Sequence, residues 1–220
     1  MTGMKSVKTR EIINNIYTIN DKFVSCYFIK TGLGFVAIDS GSNAANVATE
    51  IRKLNIDPTT IEAVFLTHTD ADHTGGLVLF PNAKVYISDK EEQMINGKTR
   101  RALLFKNSLR TTGYHLLADN QSIEVSGTKI KGILTPGHTP GSMSYIVNDV
   151  YIFTGDTLTL QNGNVGVFNR LINMNTKSQK DSITKISRLT DLKYIFTAHS
   201  GYTDNFKEAF TRWNVHNNRL

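Results

Sequence analysis

Short apolar runs separated by turn residues fill most of the chain. Near the N-terminus, Ile12–Ile19, Phe23–Ile29 and Gly34–Ile38 predict three strands, with turns at Asn20-Asp21 and Thr31-Gly32. The period then changes. Val47, Ile51 and Leu54, spaced by four and three, predict a helix over Ala44–Leu54, closed by Asp57-Pro58. A buried strand at Ala63–Leu66, a short helix after Asp72 and a strand at Lys84–Ile87 follow. Residues 89–115 are polar and basic and read as an insertion lying over the core. Strands return at Ser122–Val125, Thr128–Leu134, Ser144–Val147 and Val150–Phe153. Ile183, Ile186 and Leu189 predict a helix over Thr176–Leu189. A last strand, Tyr194–Phe196, precedes a helix whose stripe of Phe206, Phe210 and Trp213 is core packing. Two strand-rich halves punctuated by helices predict an α/β fold of two packed sheets with helices outside, not a βαβ alternation.

Composition narrows the function classes. With 220 residues and no low-complexity tract or linker, residues 1–220 are expected to form a single domain with its own core. No apolar run is long enough to span a bilayer, so no membrane role is expected. Met1–Arg10 is basic and polar, without the apolar stretch of a secretory signal. A single cysteine, Cys26, excludes an intramolecular disulfide; together these features predict a cytoplasmic protein with Cys26 in its core. The net charge of +6 is concentrated at Lys98, Arg100, Arg101, Lys106 and Arg110, which read as a solvated face. No nucleic-acid module accompanies this charge, and no nucleic-acid partner is expected.

The candidate chemistry lies at strand ends. Four apolar runs finish in threonine followed closely by a metal-ligating residue. They are Val64-Phe65-Leu66-Thr67-His68, Ile133-Leu134-Thr135-Pro136-Gly137-His138, Ile152-Phe153-Thr154-Gly155-Asp156 and Ile195-Phe196-Thr197-Ala198-His199. A fifth, Val36-Ala37-Ile38-Asp39, ends in a carboxylate. Side chains at the ends of such strands can converge on one rim above a rigid sheet. His68, Asp70, Asp72 and His73 crowd into six residues, where two close carboxylates repel unless a cation lies between them. His115 and His216 have no such context and read as ordinary histidines.

The segment His68-Thr69-Asp70-Ala71-Asp72-His73 resembles the HxHxDH signature of the metallo-β-lactamase superfamily, with His138, Asp156 and His199 in the expected order. The contexts Thr135-Pro136-Gly137-His138 and Phe153-Thr154-Gly155-Asp156 are similar to its glyoxalase II branch. The resemblance implies a four-layer αββα sandwich with two divalent metal ions at one edge. His68, Asp70 and His138 would hold the first ion, Asp72, His73 and His199 the second, and Asp156 would bridge them. Asp72 would also orient the attacking hydroxide, while Asp39 and the strand-end threonines would fix the ligands' orientation.

One letter departs from the signature: Asp70 stands where a histidine is usual. Zinc is the family's metal, but an added carboxylate makes a harder site and favours iron or manganese. The flavodiiron branch likewise carries a carboxylate here. The expected reaction is metal-dependent hydrolysis of a small ester, thioester, lactone or phosphodiester, through a hydroxide generated by the ions. The alternative is a di-iron redox or oxygen-sensing protein; no flavin or dinucleotide loop is visible, so its electron donor would be a separate protein. The family's glutathione-thioester hydrolases carry an additional C-terminal helical region, whereas one helix is expected after His199, which disfavours that particular substrate. The loop Gln161–Asn175 is expected to border the pocket, and residues 98–110 to cap it and attract an anionic substrate.

Overall fold

Alternate residues of the strands point into two different cores, and this period-two pattern builds the layers. The computed structural model describes residues 7–101 and 106–217. Its larger sheet runs in spatial order β1 (Arg10–Ile13), β2 (Ile16–Asp21), β3 (Val24–Lys30), β4 (Phe35–Ile38), β5 (Ile61–Phe65), β6 (Lys84–Ser88) and β7 (His115–Leu117). The first four strands form an antiparallel meander, and β4 to β7 are parallel. The smaller sheet contains β8 (Ser122–Val125), β9 (Thr128–Leu134), β10 (Met143–Val147) and β11 (Tyr151–Phe153), a hairpin of β12 (Leu158–Gln161) and β13 (Asn164–Val167) standing apart from it. It is completed by β14 (Tyr194–Phe196), parallel to β11, and β15 (Tyr202–Thr203).

The inward positions Tyr27, Ile38 and Phe65 meet Tyr145, Phe153 and Phe196 of the opposite sheet in a buried core. The outward positions Phe28, Ala37 and Val64 are covered by α1 (Ala44–Lys53) through Val47 and Ile51. Each of these two helix side chains is fully buried and contributes about 1.5–3 kcal/mol of burial free energy. Asn43 caps α1 by accepting the Asn46 N–H, and Arg52 and Lys53 lie in its last turn, where they favour the helix dipole. On the far side, Ile183 and Ile186 of α4 (Thr176–Ser187) cover Ile133, Ile152 and Ile195. The result is the expected αββα order. Two single-turn helices complete the half built on the larger sheet, α2 (Ala71–Thr74) after β5 and α3 (Glu92–Ile95) after β6. The last elements are α5 (Phe206–Ala209) and α6 (Thr211–Asn217). No helix of the described residues is long and apolar enough to cross a membrane.

Three expectations about elements change. The strand expected over Ile12–Ile19 is a hairpin, because Asn15 takes a left-handed φ of 69° and turns the chain between β1 and β2. The next turn falls at Lys22-Phe23 rather than Asn20-Asp21. Asp21 belongs to β2 because its buried carboxylate accepts the Ser42 and Asn43 N–H groups, both at 2.7 Å. The final helix is broken at Phe210 into α5 and α6, although Phe206 and Phe210 are buried as expected.

Candidate metal centre

Five strand ends meet at one rim of the sandwich. Asp39 follows β4, the segment His68 to His73 follows β5 and runs into α2, and His138, Asp156 and His199 follow β9, β11 and β14. Two glycines permit this approach. Gly137, at φ 145°, packs so tightly on α4 that a Cβ would lie 2.4 Å from Gln179 backbone atoms. Gly155, at φ 51°, would bring a Cβ to 2.4 Å from Thr67 Oγ1. Only glycine meets both demands at either position.

The four imidazoles are oriented alike. His73 Nδ1 lies 2.8 Å from Asp39 Oδ2, His199 Nδ1 lies 2.8 Å from the Phe23 carbonyl, and His138 Nδ1 lies 3.2 Å from Asn173 Oδ1. Thr67 Oγ1 donates to Asp39 Oδ2 at 2.8 Å, which leaves its oxygen to accept from His68 Nδ1 at 3.1 Å. Each Nδ1 is therefore committed outward and each Nε2 faces the rim. Asp156 lies between them: its Oδ2 is 3.5 Å from His138 Nε2, while its Oδ1 is 3.6 Å from His73 Nε2 and 3.2 Å from His199 Nε2. Asp72 Oδ2 closes the second half, 3.7 Å from His73 Nε2 and 3.4 Å from His199 Nε2.

Charge is densely packed here. Burial alone would push the His73 imidazole down, but Asp39, Asp72 and Asp156 outweigh it and raise it to about 10. Burial opposes protonation of His199 too, and Asp156 and Asp72 raise it to about 11. Asp72 is pushed up by burial yet held at about 2 by His73 and His199. Burial of Asp156 is likewise overcome by His199 and His73, which hold its carboxyl far below the usual range. His138 goes the other way, because burial lowers it more than Asp70 and Asp156 restore it.

The residues of the second half fit a divalent ion. His73 Nε2, Asp156 Oδ1 and the neighbouring His68 Nε2 are buried without a hydrogen-bond partner. Such a set of unpartnered inward polar atoms is costly to bury, and a divalent ion that displaces the imidazole protons would satisfy it. The donor atoms of Asp72, His73 and His199 lie within 4.8 Å of one another, as do those of His68, Asp70 and His138. The first half differs, because a side chain enters it. Arg101 Nε and Nη2 grip Asp70 Oδ1 and Oδ2 at 2.9 and 2.5 Å, and Nη2 also lies 2.8 Å from His138 Nε2.

Arg101 corrects the reading of the basic segment as a wholly solvated face. Lys98, Arg100, Lys106 and Arg110 are exposed, but Arg101 is turned inward. The surrounding segment is anchored, not merely laid over the core. Met94 is fully buried, and buried Glu91 accepts the Thr69 N–H at 2.8 Å and the Thr139 hydroxyl at 2.6 Å. Asn107 reaches Thr69 Oγ1 at 3.0 Å and Asp70 Oδ1 at 2.9 Å. Glu91, Arg101 and Asn107 carry no local pattern that would mark them out. Asn173, by contrast, lies in the Gln161–Asn175 stretch expected to border the pocket, and its Nδ2 is held by the Phe168 carbonyl and Gln179 Oε1. Among the threonines, Thr67 contacts the His68 imidazole, whereas Thr135, Thr154 and Thr197 bind neighbouring hydroxyls or carbonyls. His115 lies on β7, exposed beside Tyr86. The side chain of His216 lies outside the described residues.

A family model of the metallo-beta-lactamase superfamily matches residues 19–199, from β2 to the last histidine of the rim. The chain belongs to the metallo-β-lactamase superfamily. A hydroxyacylglutathione hydrolase of Citrobacter koseri is 31% identical over 203 residues, covering 90% of this chain and 70% of that one. A probable polyketide biosynthesis zinc-dependent hydrolase of Bacillus subtilis is 30% identical over 138 residues, 60% of this chain and 54% of that one. Among solved structures, a Cronobacter sakazakii metallo-β-lactamase with a HARLDQ motif superposes with a TM-score of 0.70 at 22% identity, covering 89% of this chain and 79% of that chain, a likeness of fold. As a member of this superfamily and a relative of these enzymes, the chain is a metallo-β-lactamase-fold hydrolase, with metal-binding groups gathered at one rim.

Proposed function

We propose that this superfamily hydrolase cleaves a small thioester or ester, with a divalent ion held by Asp72, His73, His199 and Asp156. The observation that carries the reading is the pair of buried polar atoms without a hydrogen-bond partner, His73 Nε2 and Asp156 Oδ1, facing one another at 3.6 Å. A divalent ion in such a place supplies Lewis acidity, which makes a nucleophile from water near neutral pH. Zinc is favoured by the imidazoles around the rim, and the name of the Bacillus relative agrees.

The chain's own residues do the rest. Asp72 is the most accessible carboxylate of the set, at 27% side-chain exposure, and being ionised it accepts a hydrogen bond that aims the attacking water. His199 is sandwiched between Phe23 and Phe168, with ring centroids at 5.9 and 5.3 Å, which excludes water from one side. Phe23, Leu171 and Ile172 are exposed apolar side chains, the first beside His199 and the others on the loop that touches His138. They suit a small apolar acyl group. Exposed Lys98, Arg100 and Lys106, in the segment that carries Arg101, favour an anionic substrate. A di-iron redox function finds no counterpart in the names of these relatives. A cytoplasmic setting belongs to the same proposal, supported by the buried free thiol of Cys26.

The test is turnover of a panel of thioesters, esters, lactones, phosphodiesters and β-lactams by protein loaded with zinc, manganese or iron(II). Hydrolysis of thioesters or esters that a chelator abolishes, and that Asp72→Asn lowers about 100-fold or more in kcat, is expected. Absence of turnover with every metal overturns the reading.

A further inference from the structure

We propose that the Arg101 guanidinium takes the place of one of the two ions expected here, so that the centre holds a single divalent ion in its second half. This rests on the metal-dependent reading above, and concerns how many ions the rim accepts.

Three observations carry it. The first is position. Arg101 Nη2 lies 2.5 Å from Asp70 Oδ2 and 2.8 Å from His138 Nε2, between the two donors that would hold a first ion together with His68. Those donors are themselves only 3.1 Å apart. Because His138 Nδ1 donates to Asn173 Oδ1, whose own amide is fixed by Phe168 and Gln179, Nε2 is left as an acceptor. The Nη2 hydrogen takes the lone pair an ion would need.

The second is the engagement of both Asp70 oxygens. Its Oδ1 accepts from Arg101 Nε and from Asn107 Nδ2, each at 2.9 Å, and its Oδ2 takes the second prong of the guanidinium. This is the two-point fork characteristic of arginine and carboxylate, reinforced by a second donor. The guanidinium is anchored at its other end as well, with Nη1 donating to the Ile172 carbonyl. An ion entering this half would have to break the fork and leave the Arg101 charge beside it.

The third is charge. Among the candidate ligands, Asp70, Asp72 and Asp156 bring three negative charges, with the Asp39 carboxylate behind His73 as a fourth. One divalent ion and one guanidinium bring three positive charges, as many as the three ligand carboxylates carry. Two divalent ions together with the Arg101 guanidinium would set five positive charges against those three carboxylates. The aspartate where the signature has histidine thus has a partner that an imidazole could not replace.

Metal stoichiometry tests this directly. Metal-stripped protein is titrated with cobalt(II), followed by its visible spectrum, and zinc content after dialysis is measured by mass spectrometry. The wild-type chain is expected to saturate at one equivalent, Arg101→Met at two, and Arg100→Met, at the exposed neighbour, at one. Two equivalents in the wild-type chain, or one in a folded Arg101→Met, overturn the proposal while leaving the hydrolase reading intact. No binding at all overturns the hydrolase reading itself. The wild-type titration decides the matter even where Arg101→Met does not fold.

Discussion

Asp39 Oδ2 accepts the Nδ1–H of His73 at 2.8 Å, so a residue on β4's end sets the direction of an imidazole on α2. The same carboxylate accepts the Thr67 N–H at 2.8 Å and its hydroxyl, tying β4's end to β5's end. One side chain thereby orients His73 directly and His68 through Thr67. Outer partners of this kind hold a ligand's tautomer and ring angle.

Asp39→Asn separates this orienting role from folding. Residue 39 has a φ of 60°, a left-handed conformation that asparagine tolerates well. The shape is kept, but an amide cannot accept from His73 and Thr67 as a carboxylate does. Zinc affinity, measured by competition with a chromophoric chelator, is expected to fall about 10–100-fold with little change in the unfolding midpoint. Unchanged affinity would remove Asp39 from this role.

The raised imidazoles give the metal-free protein a particular pH dependence. His73 and His199 are lifted from 6.5 to about 10 and about 11, so their stabilising contribution is complete below pH 6.5 and is lost as pH rises through those values. Asp72 is lowered from 3.8 to about 2, so its contribution is complete above 3.8 and is lost as pH falls through about 2. Urea midpoints in chelator should therefore decline from about pH 6.5 toward pH 10, by these groups' linkage. Saturating zinc should reverse the trend, since the ion requires neutral imidazoles and displaces their protons. A metal-free midpoint that climbs over this range would contradict the assignment.

Gly155 is where backbone and site are joined most tightly. Alanine at a left-handed φ costs about 1–2 kcal/mol, and here its Cβ would also meet Thr67 Oγ1 at 2.4 Å. Displacing that hydroxyl disturbs Asp39 and His68 together. Gly163, at φ 78° in the β12–β13 turn, has nothing within 4 Å of its would-be Cβ and supplies the comparison. Gly155→Ala is expected to exceed Gly163→Ala by about 1–3 kcal/mol in urea denaturation, as overpacking does, and to weaken zinc binding as well. Equal costs would mean that the Thr67 contact yields freely.

How far the sequence reaches into this site depends on how local each signal is. Strand, threonine and ligand recur as a short pattern, so the rim built from His68, His138, Asp156 and His199 is legible in the amino-acid order alone. The turns at Asn15 and Lys22 are not, because an alternating run does not say which polar residue turns left-handed. The threonines share one pattern but have different fates, set by what faces them: Asp39 and His68 for Thr67, Ser144 and Thr157 for Thr135. Arg101 is hidden most completely. Its neighbours Lys98, Arg100 and Lys106 are chemically alike and exposed, and the partners that hold Arg101 inward, Asp70, His138 and the Ile172 carbonyl, lie 31 or more residues away in sequence.

The substitution Asp70→His tests the same relationship from the carboxylate side. It restores the histidine of the superfamily signature and removes both oxygens gripped by Arg101 Nε and Nη2. It also strips Asn107 Nδ2 of one of its two acceptors, Thr69 Oγ1 remaining. With three imidazoles in the first half and the fork gone, zinc is expected to rise from one equivalent to two, and its preference over manganese to increase. The activity rise with pH should move to lower pH, because an imidazole brings no negative charge and leaves the centre a stronger Lewis acid. Combination with Arg101→Met distinguishes the cause. If Asp70 excludes the first ion by holding Arg101, the double variant should bind no more zinc than either single variant. If Asp70 and Arg101 act separately, the single variants should each fall short of two equivalents and only the pair should reach it.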